Sequence, residues 1–262
     1  MDIRILVAVH KDFWAPSDEM YLPLQVGTAL SDVKLKYQGD DDGDNISAKN
    51  DKYSELTGLY WAWKNLDADA IGLAHYRRYL AEPGKRGGGD QNLTDRILTK
   101  STAEQILSRV DAIVAKKRKY VIETIYSHYD HTHDGTHLNL TGEIIERQCP
   151  DYLDAYNTVL KRTSAHMFNM FVMKRDQFRA YCAWLFPILE ELEGLVDDSQ
   201  MTPFERRYLG RIGELLLDVW IDKNQISYEE LSVIQLGKKN WFKKVRSFLG
   251  AKFRHKKYEQ SL

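Results

Sequence analysis

DAIGLAHYRRY, residues 69–79, is the stretch from which the chain is best read. A short apolar run, Ile71 to Ala74, empties into His75, Tyr76, Arg77, Arg78 and Tyr79. That is the pattern of a buried strand that delivers cations and hydrogen-bond donors to the edge of a sheet. In open α/β proteins ligands bind outside the carboxyl ends of the strands. Two adjacent guanidinium groups at such an edge suit a phosphate or diphosphate. The plainer alternative is a strand end whose arginines pair with surface carboxylates.

The flanks of this stretch set its context. Upstream, SELTGLYWAWKN (54–65) carries Leu56, Leu59, Tyr60 and Trp63 at helical spacing. Ahead of it, IRILVAV (3–9) is a near-continuous apolar run of the kind found in a central parallel strand, with a polar exit at His10, Lys11 and Asp12. Strand, loop, helix, strand is the grammar of an α/β nucleotide-binding half. A second strand is expected near residues 33–37, within an otherwise loop-like stretch holding Pro16, Pro23 and Gly27. The aspartate-rich DDDGDN (40–45) lacks the ligand spacing and closing glutamate of a calcium loop. Downstream, PGKRGGG (83–89) reads as a flexible loop without Walker spacing.

Further helices are expected over 101–111 (N-capped by Ser101 or Thr102, with Glu104 behind), 138–149, 152–161, 177–193 and 204–224. Strands are expected over 111–115, 165–173 and 225–236. The reading is one α/β domain, residues 1–236, followed by a basic tail, 237–262.

Composition narrows the class. The chain has 262 residues, 43% hydrophobic and 29% charged, with net charge -1, so no global field selects a polyanion and nucleic acid is not an expected partner. Two cysteines, Cys149 and Cys182, do not make a disulfide framework. MDIRILVAV (1–9) is too short and too charged for a secretory signal, and no run reaches a membrane span, so a cytoplasmic protein is expected. The tail is different: residues 238–258 hold nine Lys or Arg and no acid, interleaved with Trp241, Phe242, Val245, Phe248, Leu249 and Phe253 near helical spacing. A basic C-terminal helix on an anionic membrane surface, at the inner face, fits this pattern.

Other clusters carry chemistry. Four histidines fall within SHYDHTHDGTH (127–137), which reads as a polar active-site loop; zinc is a competing reading, but the spacing matches no common zinc pattern. His128, His131 and Asp130 are candidate general bases. His166 and Asn169 stand at the entrance of an apolar strand, suited to hydrogen-bonding a sugar. Arg206, Gly210 and Glu214 recur at four-residue steps as a polar row on an amphipathic helix. Asn45, Lys49, Asn50 and Glu55 precede and open the helix before the arginine strand.

Taken in order, NISAKN (45–50), ELTGLYWAWK (55–64), IGLAHYRRY (71–79), Tyr120 with Glu123 and Tyr126 to Tyr129, RTSAHMFNMF (162–171), and Gly210, Glu214 and Trp220 resemble the bacterial DUF4422 family, usually described as capsular or exopolysaccharide glycosyltransferases. The resemblance implies a GT-A-like fold: an α/β chain with a mixed, mostly parallel central sheet flanked by helices. It also implies sugar transfer from a nucleotide donor, with UDP-galactofuranose or UDP-galactose leading. One departure matters. GT-A enzymes usually carry a metal-binding Asp-X-Asp after the equivalent strand, whereas here His75 to Arg78 stand there and Asp67-Ala-Asp69 lies before it.

On this reading Arg77 and Arg78, with His75 or Tyr76, neutralise the leaving diphosphate, and no cofactor is required. Ala8, His10, Asn45, Lys49, Asn50 and Glu55 hold the nucleoside. His166, Asn169 and Glu214 hold the sugar or a lipid-linked or oligosaccharide acceptor. The alternatives are a metal-dependent hydrolase built on the histidines, and a membrane-peripheral sugar-nucleotide-binding module without catalysis.

Overall fold

The opening strand β1 (Ile3–Val9) is apolar on both sides because both sides are covered: Ile3, Ile5, Val7 and Val9 enter one apolar cluster, Leu6 and Ala8 the other. The alternation of a strand's side chains thus splits the core into two layers. The computed structural model describes residues 1–84, 93–120 and 122–236. The tail 237–262 and most of the glycine-rich loop lie outside the described residues, and so do the readings made on them.

Along the chain come β2 (Tyr21–Gln25), β3 (Gln38–Gly39), α1 (Asn50–Tyr53), α2 (Leu56–Asn65), β4 (Ala70–His75) and β5 (Arg78–Leu80). Then follow α3 (Lys100–Leu107), β6 (Ala112–Ala115), β7 (Arg118–Lys119), α4 (Ile125–Thr132), α5 (Thr136–Gln148), α6 (Leu153–Lys161), β8 (Ser164–Ala165) and β9 (Phe171–Lys174). The described chain closes with α7 (Arg175–Leu195), α8 (Tyr208–Lys223), β10 (Tyr228–Leu231) and β11 (Val233–Gln235). The central sheet runs β10-β6-β9-β4-β1-β2-β3. β9 is antiparallel to both its neighbours, and the other pairings along this path are parallel. β1 has β2 on one side and β4 on the other, so the chain changes direction across the sheet at the β1/β4 seam. Such a switch point leaves a crevice at the carboxyl ends of the strands.

Several expectations are corrected. The second strand lies at Tyr21–Gln25 rather than 33–37. The residue read as breaking it, Pro23, sits where the outer edge has no neighbour, because β3 pairs only Leu24 and Gln25. The helix expected from residue 101 is capped earlier, by the Thr99 side chain accepting the Thr102 amide. The histidine stretch is not a loop but α4 and the start of α5, opened by a capping box between Thr124 and Ser127. The strand expected over 165–173 is cut by Phe168 and Asn169, whose φ angles are 80° and 51°. That over 225–236 is two strands, and β11 leaves to pair with β5.

Helix α8 comes in close. A Cβ on Gly213 would meet Leu56 Cδ1 at 2.7 Å, and one on Gly210 would meet Ser54 and the Tyr53 carbonyl at 3.2 Å. These glycines let α8 lie against the turn between α1 and α2, where Ser54 holds a φ of 53°. Among the described residues no helix is long and apolar enough to cross a membrane.

Candidate active site

The crevice is built from the strand ends upward. β4 ends at His75, whose Nε2 donates to the Phe168 carbonyl at 2.7 Å. Burial, with Arg78 and Arg207 nearby, outweighs the pull of Glu55 and lowers its pKa, which favours the neutral ring. The chain then turns into β5, so Tyr76 and Arg77 occupy the tip of a tight hairpin. Tyr76 meets the ring edges of His10 at 5.0 Å and Phe13 at 5.9 Å, and the Arg77 guanidinium lies 4.7 Å over its ring. His10, at the exit of β1, is held below its usual pKa by burial and by the charges of Lys11, Arg77 and Arg207. Ala8, buried in β1, receives the Tyr76 amide on its carbonyl at 3.3 Å.

Arg78 lies 4.5 Å over the Phe168 ring, and its buried Nε has no hydrogen-bond partner. Burial lowers its pKa despite Glu214 and Glu55, while Arg77 and Arg118 add to the lowering. Arg211 repeats the arrangement over Phe204 at 4.9 Å, again with a buried, unpartnered Nε. Arg207 donates from Nε to Ser54 Oγ at 2.9 Å. Two carboxylates face these cations. Glu55 accepts from Asn169 Nδ2 at 2.7 Å, and the same amide nitrogen reaches the Gly210 carbonyl at 3.0 Å. Burial and the neighbouring Glu55 push the Glu214 pKa up to about 7, against the opposing pull of Arg211, the Phe168 amide and Arg78.

Two groups of arginines stand apart. Arg4, Arg109, Arg147, Arg162, Arg175, Arg179 and Arg206 each pair with a carboxylate. Among the described residues Arg77, Arg78, Arg118, Arg207 and Arg211 have no carboxylate oxygen within 4.0 Å. They belong to one electrostatic neighbourhood: Arg77 and Arg207 act on His10, Arg77 and Arg118 on Arg78, and Arg118 and Arg211 on Tyr120. Five guanidinium groups near Glu55 and Glu214 leave an excess of positive charge in a partly desolvated crevice, an arrangement suited to an anion. Three residues held at positive φ, Ser54, Phe168 and Asn169, flank it. Strain of this kind, about 1–3 kcal/mol per residue, persists where packing over-determines a site.

Other residues singled out from the sequence do different work. Asn45 bonds the carbonyls of Asp42 and Gly43 and receives the Ser47 amide. Lys49 pairs with Glu193 at 2.8 Å. Asn50 donates to the Ser54 carbonyl and to Thr57 Oγ1. His166 is fully buried between Asp218 and Glu230, joining α8 to β10. His128 and His131 share Glu123, at 2.8 and 3.0 Å, and His128 packs on Tyr120 with ring centroids 4.2 Å apart. Asp130 accepts the Gly135 amide at the start of α5. His133 and His137 stack on Phe204 and Tyr208. The structure therefore gathers His10, Glu55, His75, Tyr76, Arg77, Arg78, Asn169 and Glu214 into the crevice, with His128 at its rim behind Tyr120. It adds Arg118, Tyr120, Phe168, Arg207 and Arg211.

The residues after β4 do not fit a divalent cation: a donating imidazole and two guanidinium groups offer no oxygen ligands. Asp67 and Asp69 sit at the opposite end of β4, paired with Arg175 and Arg179. Among the described residues no group of three or more His, Cys, Asp or Glu is arranged to hold a metal ion.

A sequence profile described as a domain of unknown function, DUF4422, matches residues 4–225. No curated protein matches the chain. Among solved structures it is similar to the apo structure of WbbM, a bifunctional glycosyltransferase, with TM-score 0.84 and 30% sequence identity over 91% of this chain. The match spans 46% of that protein, so this chain corresponds to less than half of its length. The mixed, mostly parallel sheet flanked by helices matches a GT-A-like glycosyltransferase fold.

Proposed function

Because the chain belongs to the DUF4422 family, and because its crevice presents five arginines without a carboxylate partner among the described residues, we propose that it is a glycosyltransferase acting on a nucleoside diphosphate sugar. The unpaired arginines carry this reading. A diphosphate supplies the charge they lack, and it gains further charge as the sugar leaves, so cations fixed beforehand stabilise the transition state more than the ground state. Arg77, Arg78 and Arg207 surround the diphosphate. His10 and Tyr76, with Phe13, offer ring faces to the nucleobase. Protein cations take the part that a metal plays elsewhere, so no divalent ion is required. Glu55, Asn169 and Glu214 line the sugar side.

UDP-galactofuranose and UDP-galactose are the leading donors, and a lipid-linked or oligosaccharide acceptor in surface polysaccharide synthesis is the leading acceptor. The described chain ends beside the crevice, since the Leu236 amide donates to the Arg77 carbonyl at 2.8 Å. The basic tail departs from that point, and contact of the tail with an anionic inner membrane face would set the crevice beside a lipid-anchored acceptor.

The test is thermal shift with a panel of nucleoside diphosphates and their sugars, because ligand binding to the folded state raises its apparent stability. UDP and one UDP-sugar are expected to raise Tm with or without EDTA. A panel in which no nucleotide shifts Tm would overturn the reading.

A further inference from the structure

A second set of cations without carboxylate partners stands at the carboxyl end of β6. Lys116, Lys117, Arg118 and Lys119 follow Ala115 without interruption. β6 is antiparallel to β9, and β9 is antiparallel to β4, so β6 and β4 run the same way and leave the sheet on one edge. The four cations therefore lie on the crevice side, two strand spacings, or about 10 Å, from the strand that ends at His75. His10, at the exit of β1, lies on the other side of β4.

The backbone of this segment is fixed. The Lys116 amide donates to the Leu231 carbonyl at 2.8 Å, and the Tyr120 amide donates to the Thr163 carbonyl at 2.7 Å. Between them Arg118 and Lys119 pair with Ala165 and Ser164 as β7 on β8. The half-buried Lys117 lies 5.8 Å over the Tyr228 ring, and its Nζ donates to the Tyr228 hydroxyl at 3.4 Å. The carboxylates beside β8 and on β10 are already engaged: Asp222 by Arg162, Asp218 and Glu230 by His166, and Glu229 by Arg109. Elsewhere Lys49, Lys52, Lys100, Lys174 and Lys223 each pair with a carboxylate. Among the described residues none of the four cations at 116–119 has a carboxylate oxygen within 4.0 Å. Adjacent charges of one sign repel, and a bound anion relieves that repulsion.

Resting on the glycosyltransferase reading above, we propose that Lys116, Lys117, Arg118 and Lys119 form the acceptor subsite, and that the acceptor carries a phosphate or diphosphate there. The separation from the β4 arginines leaves room for the reacting sugar between two anionic groups. Arg118 links the two sets, since its charge acts on both Arg78 and Tyr120. Lysines suit this second anion as compact charges on adjustable stems. A neutral oligosaccharide leaves the patch unanswered, whereas a lipid joined to its sugar through phosphate answers it. The phosphate is thus assigned to the lipid-linked acceptor.

The experiment titrates inorganic pyrophosphate and farnesyl diphosphate into the UDP-saturated chain by calorimetry, with the donor crevice occupied. Both should bind once, with an affinity that falls steeply as salt is raised. Lys116→Ala combined with Lys117→Ala and Lys119→Ala should weaken both by about tenfold, with UDP affinity within about threefold of wild type. Arginine at the same three positions, which keeps the charge, should preserve binding. Partition onto phosphatidylglycerol vesicles should be equal for the wild type and the alanine variant.

A wild-type chain that binds UDP but neither diphosphate in its presence would overturn the subsite and leave the glycosyltransferase reading standing. Full pyrophosphate binding by the alanine variant would do the same. An alanine variant that loses UDP affinity in equal proportion would assign the patch to the donor, and one that loses only vesicle partition would make it a membrane contact; either result overturns the proposal. A wild-type chain that binds no UDP would overturn the functional reading, and the acceptor role with it.

Discussion

Arg175 and Arg179 stand near one end of β4, and Arg77 and Arg78 follow its other end. At the first end Asp67 and Asp69 answer the cations, and Arg175 also donates to the Ala68 carbonyl at 2.6 Å. At the second end the rings of Tyr76 and Phe168 lie under the cations, and no carboxylate lies within 4.0 Å among the described residues. Two nearby arginines in a sequence look alike at either end of a strand. The difference lies in what the fold brings up to them: a pair satisfied by its neighbours has no remaining electrostatic demand, whereas an unsatisfied pair keeps one that a bound anion would meet.

The comparison can be broken most forcefully at the unsatisfied end. Arg77→Ala combined with Arg78→Ala should weaken UDP binding by at least about 100-fold in calorimetry, because hydrogen-bonded charge contacts in a desolvated site are worth roughly 2–5 kcal/mol. The circular dichroism spectrum should stay unchanged. Arg207→Ala should cost about tenfold and flatten the salt dependence of binding.

Glu214 gives a stability test with a defined sign. Its folded-state pKa, about 7, lies above the ordinary 4.5, so the folded chain binds the proton more tightly and loses stability as pH rises through that window. Glu214→Gln should therefore be more stable than wild type at pH 8, by about 1–2 kcal/mol after allowing for partial exposure, and equal to it near pH 4. Denaturant melts at the two pH values read the difference.

At the satisfied end the expectation reverses. Arg175→Ala should lower stability by about 1 kcal/mol, or roughly 2–4 °C in Tm, and leave UDP affinity alone. The smallest effect is expected from Asp67→Asn with Asp69→Asn, whose donor turnover should match wild type within about twofold, with or without EDTA. A loss of turnover restored by manganese would reverse the roles of the two strand ends.

Much of the frame was legible. The apolar run of β1 and the switch from helical spacing in α2 to the run before His75 identify the α/β half directly, since burial on both faces leaves no other use for such strands. The strand that ends at the arginines was legible for the same reason, but not the turn into β5. Arg118, Arg207 and Arg211 were not, because each is unremarkable among its neighbours in sequence and only the topology carries them to the same crevice. The histidine stretch misled because its polar composition was read as a loop, whereas it forms α4 and the start of α5. Tyr129, His133 and His137 recur every four residues, and they serve as packing surface for Phe204 and Tyr208.

The pairing of β5 with β11 has a consequence for biosynthesis. The backbone that carries Arg77 and Arg78 is completed by Val233 to Gln235 and by the Leu236 amide. A chain emerging from the ribosome can form β1, β4 and the apolar layers well before those residues exist, so the sheet takes shape first and the arginine edge is finished last. A nascent chain arrested before residue 233 would have a folded frame with an unfinished anion site. Stalling the chain at successive lengths would therefore separate the birth of the fold from the birth of the site.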